Sequence, residues 1–351
     1  MSRIYFATSR IPDNADNPAK FLNEFSNFYD DLRFGYYDSN NSEDFSFYTY
    51  PDTDSKDEFG STKLFRDLKD SMKSEKRDTI LFVHGYNTSF EDSLKLGAEI
   101  QENLKKTSGE KNYNPNLIVF SWPSQGNLVS VSPDGNLIKR DYEKDRKYAE
   151  IAKFGFSRAM LKLTKFLNEL SFQDYCNQKI HLIAHSMGVY AFRHTFYEIL
   201  KSFHFKPVQI FHEVIFIAGD EDTDTFSKDY KFQRLPEFAS RVTSYFNKED
   251  MVFSGRYVKI DSNRRLGKDG MDSNNIPKRI YEVDTTAVVD FPMWQQATDI
   301  GKFLEHTYFI NTKQVLTDIY EVLIGVDTEK GSYRGKFVSA ADKYRLEKNK
   351  K

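Results

Sequence analysis

Cysteine is all but missing: Cys176 is the single one in a chain of 351 residues. That excludes an internal disulfide framework and any multi-cysteine metal site. Long apolar runs are missing too. None approaches the ~18 residues a membrane-spanning helix needs, and residues 1–7 hold too short an apolar stretch for the core of a signal peptide. Nor is charge of one sign in excess. With 50 Lys and Arg against 52 Asp and Glu the net charge is −2, and the basic residues are spread along the chain, leaving no electrostatic footprint for nucleic acid. These absences point to a soluble cytoplasmic protein with no stable membrane association and no nucleic-acid partner.

Phe and Tyr are plentiful, at 31 and 21 copies, enough for a filled core and apolar pocket walls. From residue 79 the pattern becomes regular. Apolar runs at 79–83, 116–121, 179–185, 213–218, 242–246 and 279–283 read as buried strands, with helical spacing at 90–106, 144–170 and 187–201 between them. Ser89, followed by Glu91 and Asp92, opens the first of these helices. Apolar strands alternating with helices require a mostly parallel sheet covered on both faces, an α/β fold. Residues 1–78 read as an antiparallel opening to the same domain, with strands at 3–9 and 45–49 and a helix-like patch at 21–34. Residues 79–325 form the core. A β-hairpin insertion near 128–138, turning at Pro133-Asp134-Gly135, projects at the sheet edge. Residues 326–351 make a polar, peripheral tail.

The stretch KIHLIAHSMG at 179–188 carries the chemistry. A buried strand, a turn of small residues and a helix place Ser186 at the apex of a nucleophile elbow, written A-x-S-x-G with Ala184 and Gly188 as the small flanking residues. The elbow lifts the hydroxyl above the C-terminal edge of the sheet. It also sets the Met187 N–H at a helix N-terminus, where it can donate to an oxyanion.

A serine hydroxyl needs an imidazole to take its proton and a carboxylate to orient that imidazole. Of seven histidines, only His306 follows the last core strand and precedes the closing helix. Asp250 follows the fifth strand and is the favoured acid, with Asp220 and Asp222, after the fourth, as rivals. Ser, Asp and His then stand in α/β-hydrolase order. The second oxyanion donor falls to the loop His84-Gly85-Tyr86-Asn87: Gly85 permits close backbone approach and Tyr86 N–H is the donor. His84, Gly85, Asn87 and His185 complete the candidate pocket. The run from Asp220 to Asp224 is no EF-hand, since Thr225 and Lys231 stand where Gly and Glu would be required. Two histidines on a buried strand, His181 and His185, do not make an open zinc site. No metal and no cofactor is expected.

The strings LFVHGYNTSFEDS, VFSWPSQG, HLIAHSMG, IAGDEDTDTF, YFNKEDMVFSGR and LEHTYF, in that order, resemble the α/β-hydrolase superfamily. More narrowly, they are similar to a bacterial family of uncharacterised serine hydrolases with VHG-Y/F-N, SWPS-x-G and AHSMG motifs. The resemblance spans roughly residues 79–310. It implies an α/β-hydrolase fold, a Ser186–Asp250–His306 triad, and a pocket role for Trp122, Asp222 and Arg256. Glu305 departs from the glycine that members often carry before the final histidine. The resulting expectation is a hydrolase of small-molecule acyl substrates (esters, thioesters or amides) working through an acyl-enzyme. The alternative is an interaction module that kept the fold without turnover.

Overall fold

In a computed structural model, the structure describes residues 3–15, 18–26, 31–39, 45–50, 59–124, 136–253, 264–272, 275–289, 306–335 and 343–349. The strands are β1 (Arg3–Thr8), β2 (Arg10–Pro12), β3 (Phe21–Phe25), β4 (Arg33–Asp38), β5 (Phe47–Thr49), β6 (Thr79–Val83), β7 (Asn116–Ser121), β8 (Ile180–His185), β9 (Phe211–Ile217), β10 (Ala239–Phe246), β11 (Ile280–Asp284) and β12 (Lys343–Arg345). The helices are α1 (Gly60–Ser74), α2 (Phe90–Ser108), α3 (Asn136–Ile151), α4 (Lys153–Asn168), α5 (Met187–Ser202) and the short α6 (Leu266–Asp269), followed by a closing helix Lys313–Leu323.

Ten strands form one sheet in the order β12-β11-β10-β9-β8-β6-β7-β1-β4-β5. Every neighbouring pair from β12 to β1 is parallel; β1/β4 and β4/β5 are antiparallel. The expected mostly parallel α/β sheet is what the chain builds. Strands such as TILFV in β6 are buried along their whole length, as the centre of a two-sided sheet demands. Alternate residues serve opposite faces. Leu81 and Val83 join a core with Leu64 of α1, Phe156 of α4 and Phe192 of α5. Ile80 and Phe82 join the other core, with Leu94 of α2 and Ile319 of the closing helix.

Chain order reverses at β6: β7 lies on one side of it and β8 on the other. The loops after β6 and β8 therefore meet at a topological switch point on the C-terminal edge, where sheets of this kind hold their ligands.

Three expectations need correction. The patch at 21–34 is not helical: β3 and β4 occupy its described residues. Phe21 is drawn into an aromatic cluster with Phe90 at 4.7 Å and Phe47 at 5.4 Å, a tertiary contact that overrides local spacing. Residues 137–139, read as the second arm of a hairpin, belong to α3; residues 125–135 lie outside the described residues. The tail is not wholly peripheral. Strand β12 extends the sheet beside β11, and Arg334, 1% exposed, forks onto Asp318 at 2.7 and 2.9 Å.

Candidate active site

Strand β8 ends at His185 and α5 starts at Met187, so one residue must turn the chain. That residue is Ser186, at φ 54° and ψ −125°. A positive φ is strained for a residue with a Cβ and is tolerated where the surroundings over-determine it. Here they do. Ser186 N–H donates to Ile217 O at 2.9 Å, and Ser186 O accepts from the N–H groups of Val189 and Asp220, each at 3.0 Å. Gly188 explains the demand for small residues, because a Cβ there would lie 2.4 Å from Val83 O and 2.6 Å from His84 O.

After β10, Asp250 is fully buried. Its Oδ1 accepts from Val252 N–H at 3.0 Å and its Oδ2 lies 2.7 Å from His306 Nδ1. A carboxylate only accepts, so the Nδ1–H of His306 donates to Asp250 and Nε2 is the ring nitrogen turned away from the acid. That Nε2 is buried without a hydrogen-bond partner among the described residues. The Ser186 hydroxyl and His306 are therefore not hydrogen-bonded to each other. Asp220 and Asp222, the rival acids, are committed elsewhere. Asp220 accepts from the Tyr142 hydroxyl and pairs with Arg146 at 3.2 Å. Asp222 pairs with Lys231 at 2.8 Å and Arg265 at 2.9 Å.

His185 bridges the two halves of the site. It precedes Ser186 in the chain, its Nε2 lies 3.1 Å from His306 O, and the two rings are 4.8 Å apart. Burial, then the neighbouring His306, push its pKa well below the ordinary imidazole value, so it braces His306 as a neutral ring. Phe253 closes on His306 edge-on at 5.2 Å.

The loop after β6 faces the elbow: a Cβ on Gly85 would sit 2.8 Å from Ser186 Cβ. Neither Tyr86 N–H nor Met187 N–H has a backbone or side-chain acceptor among the described residues. Trp122 and His84, expected in the pocket, pack against each other beneath the loop. Both are fully buried and stacked at 5.2 Å with 6° between planes. Trp122 Nε1–H donates to His84 O at 2.9 Å, so the pair braces the loop from behind. Burial, then nearby Arg10, push the His84 pKa down to about 3. Asn87 takes φ 55° and turns its N–H onto Asp145 Oδ2 at 3.2 Å. Arg256 lies outside the described residues.

Two residues had no signal in the sequence. Asp145 of α3 also accepts from Ser124 Oγ at 2.5 Å, and Ser124 Oγ accepts from Thr88 N–H at 3.1 Å. Buried Arg10 donates to Thr88 O at 2.8 Å and Ser124 O at 3.2 Å. Burial lowers its pKa to about 9, and that still leaves it charged near neutrality. Together they clamp the loop from 78 and 58 residues away in sequence; only Ser124, within SWPS, belongs to a recognisable string.

Among the described residues no cluster of three or more His, Cys, Asp or Glu side chains could hold a metal ion, and no helix is long and apolar enough to cross a membrane. The family model described as "Alpha/beta hydrolase of unknown function (DUF900)" matches residues 61–326. No curated protein matches the chain. Among solved structures, phospholipase PlaB from Legionella pneumophila in complex with thio-NAD aligns at a TM-score of 0.27 and 9% identity, over 75% of this chain and 65% of that one. The chain thus spans less than two thirds of that protein, and so low a score supports no argument about fold or activity.

Proposed function

The chain belongs to the alpha/beta hydrolases of unknown function (DUF900), and within that family we infer that it is a serine hydrolase acting on small-molecule acyl substrates, most simply carboxylic esters. The observation that carries the reading is the joint placement of a strained Ser186 at a helix N-terminus and a buried His306 held by Asp250 at 2.7 Å. Ion-pair networks and core histidines are common, but a serine on a positive-φ turn whose chain neighbour His185 touches an oriented imidazole has a specific use.

In the proposed reaction Ser186 Oγ attacks the acyl carbon as its proton passes to His306 Nε2. Asp250 stabilises the imidazolium and keeps its orientation. The oxyanion is received by the N–H groups of Met187 and Tyr86, and each such donor typically lowers the barrier by ~3–4 kcal/mol. Collapse expels the alkoxide, which takes the proton from His306. Water, deprotonated by the same Nε2, then releases the acid and restores the serine. The α5 N-terminus adds its positive dipole end to the developing charge.

Pre-steady-state hydrolysis of a panel of p-nitrophenyl esters tests this. A burst of one p-nitrophenolate per chain, abolished in Ser186→Ala and His306→Ala, is expected. Equal turnover in wild type and Ser186→Ala would exclude the acyl-enzyme.

A further inference from the structure

A cavity of about 330 Å³ lies between the sheet and the helices α1 and α4, and the proposed chemistry makes no use of it. None of its lining residues is Ser186, Asp250, His306 or a member of the loop 84–88. The Phe120–Phe156 stack, 4.1 Å between centroids, helps wall it from the elbow helix, where Phe156 meets Phe192. Close-packed interiors rarely leave voids much larger than a water molecule, and an apolar cavity of ~150 Å³ already suffices to bind benzene.

The shape of the lining narrows the occupant. It takes in Ile180 on β8, Leu81 on β6, Ile118 on β7, Ala7 on β1 and Phe34 on β4, five strands that are consecutive in the sheet. Four inter-strand steps of ~4.8 Å make it ~19 Å long. A volume of about 330 Å³ over that length leaves roughly 17 Å² of cross-section, narrow enough to take one hydrocarbon chain and no more. The roof is equally apolar, with Leu64, Phe65, Leu68 and Met72 from α1 and Met160, Leu163 and Phe166 from α4.

Polarity is confined to one end. Gln178 and Gln209 precede β8 and β9, Asn168 ends α4, and Tyr175 there is 64% exposed, which makes this end the mouth. The lining's charged side chains, Lys69 and Asp174, neutralise each other at 3.1 Å. The remaining polar groups are the amides of Asn168, Gln178 and Gln209, the Tyr175 phenol, the Thr79 hydroxyl and the Cys176 thiol, none of them carrying a formal charge, a set suited to an uncharged hydroxyl or ester head.

We propose that this cavity binds a single-chain aliphatic amphiphile with an uncharged polar head, at the end of the sheet opposite the nucleophile. The idea stands whether or not Ser186 is reactive. The test is NMR of the full chain carrying 13C-methyl methionine, titrated with dodecan-1-ol. Met72 and Met160 line the cavity and Met187 adjoins Ser186, so three of the seven methionines report the two places separately. Saturable shifts at Met72 and Met160 with Met187 unmoved are expected, with at least tenfold weaker binding of dodecanoate. Leu163→Trp, which fills the space, should remove both shifts; if it does not fold, the wild-type comparison decides alone. Unmoved Met72 and Met160 up to the solubility limit, or shifts at Met187 only, would overturn the site. Equal affinity for dodecanoate would overturn the uncharged head.

Discussion

Ser186 occupies a backbone conformation that costs its fold something, at φ 54°, and this has a measurable consequence. Ser186→Gly removes strain of ~1–3 kcal/mol and returns ~0.5–1 kcal/mol through the greater freedom of unfolded glycine. The net is a gain of roughly 1 kcal/mol, a rise of ~1–2 °C in Tm by calorimetry for a chain of this size, with complete loss of ester hydrolysis. A lowered Tm would mean that the turn is relaxed with serine in place. Asp250 and Asp222 are also distinguished at this scale. Asp250→Asn replaces the charged acceptor of His306 with a neutral amide that can also donate, and should lower kcat by about 10³–10⁴. Asp222→Asn alters a largely buried ion network that does not include His306 and should cost under about tenfold. The reverse ranking in steady-state kinetics would move the acid to the end of β9.

Elements follow from sequence where local pattern and tertiary demand agree. Strands β6 to β11 are legible because fully buried parallel strands read as apolar runs, and the elbow because tight geometry restricts Ala184 and Gly188. Legibility fails where long-range packing decides, as at Phe21, whose ring is held by Phe90 across the fold. The site divides in the same way. Ser186 and the loop 84–88 announce themselves as contiguous strings, whereas Arg10 and Asp145 act on that loop only after the sheet and α3 have brought them to it. The clamp is testable at the level of the loop. Asp145→Asn keeps the shape but weakens the acceptor for Asn87 N–H and Ser124 Oγ. Loosening the loop should reduce kcat by about 10–100-fold with KM little changed, since an oxyanion donor acts mainly in the transition state. A change confined to KM would place Asp145 in substrate binding instead.

Across the whole molecule, buried neutral imidazoles couple stability to pH. His84 is held down to about 3 by burial, while an unfolded histidine titrates near ~6.5. Above ~6.5 neither state binds the proton, and His84 contributes no pH dependence. As pH falls below that, the unfolded chain takes up a proton the folded one refuses, and stability drops by about 1.4 kcal/mol per pH unit until pH nears 3. His185, also lowered by burial, adds in the same direction. His84→Phe keeps a ring against Trp122 and removes one of these protons. Its loss of stability between pH 6.5 and pH 5, by urea unfolding, should be smaller than that of wild type by about 2 kcal/mol. Identical losses would show that His84 protonates in the folded state.

One measurement bears most directly on the reading of the chain as a serine hydrolase: intact-mass spectrometry of the folded protein after treatment with a fluorophosphonate, followed by peptide mapping. A single phosphonyl adduct on Ser186, absent in Ser186→Ala and strongly slowed in His306→Ala, is the expected result. A folded wild-type protein that takes up no adduct, or carries it on another residue, would contradict an activated nucleophile at the elbow.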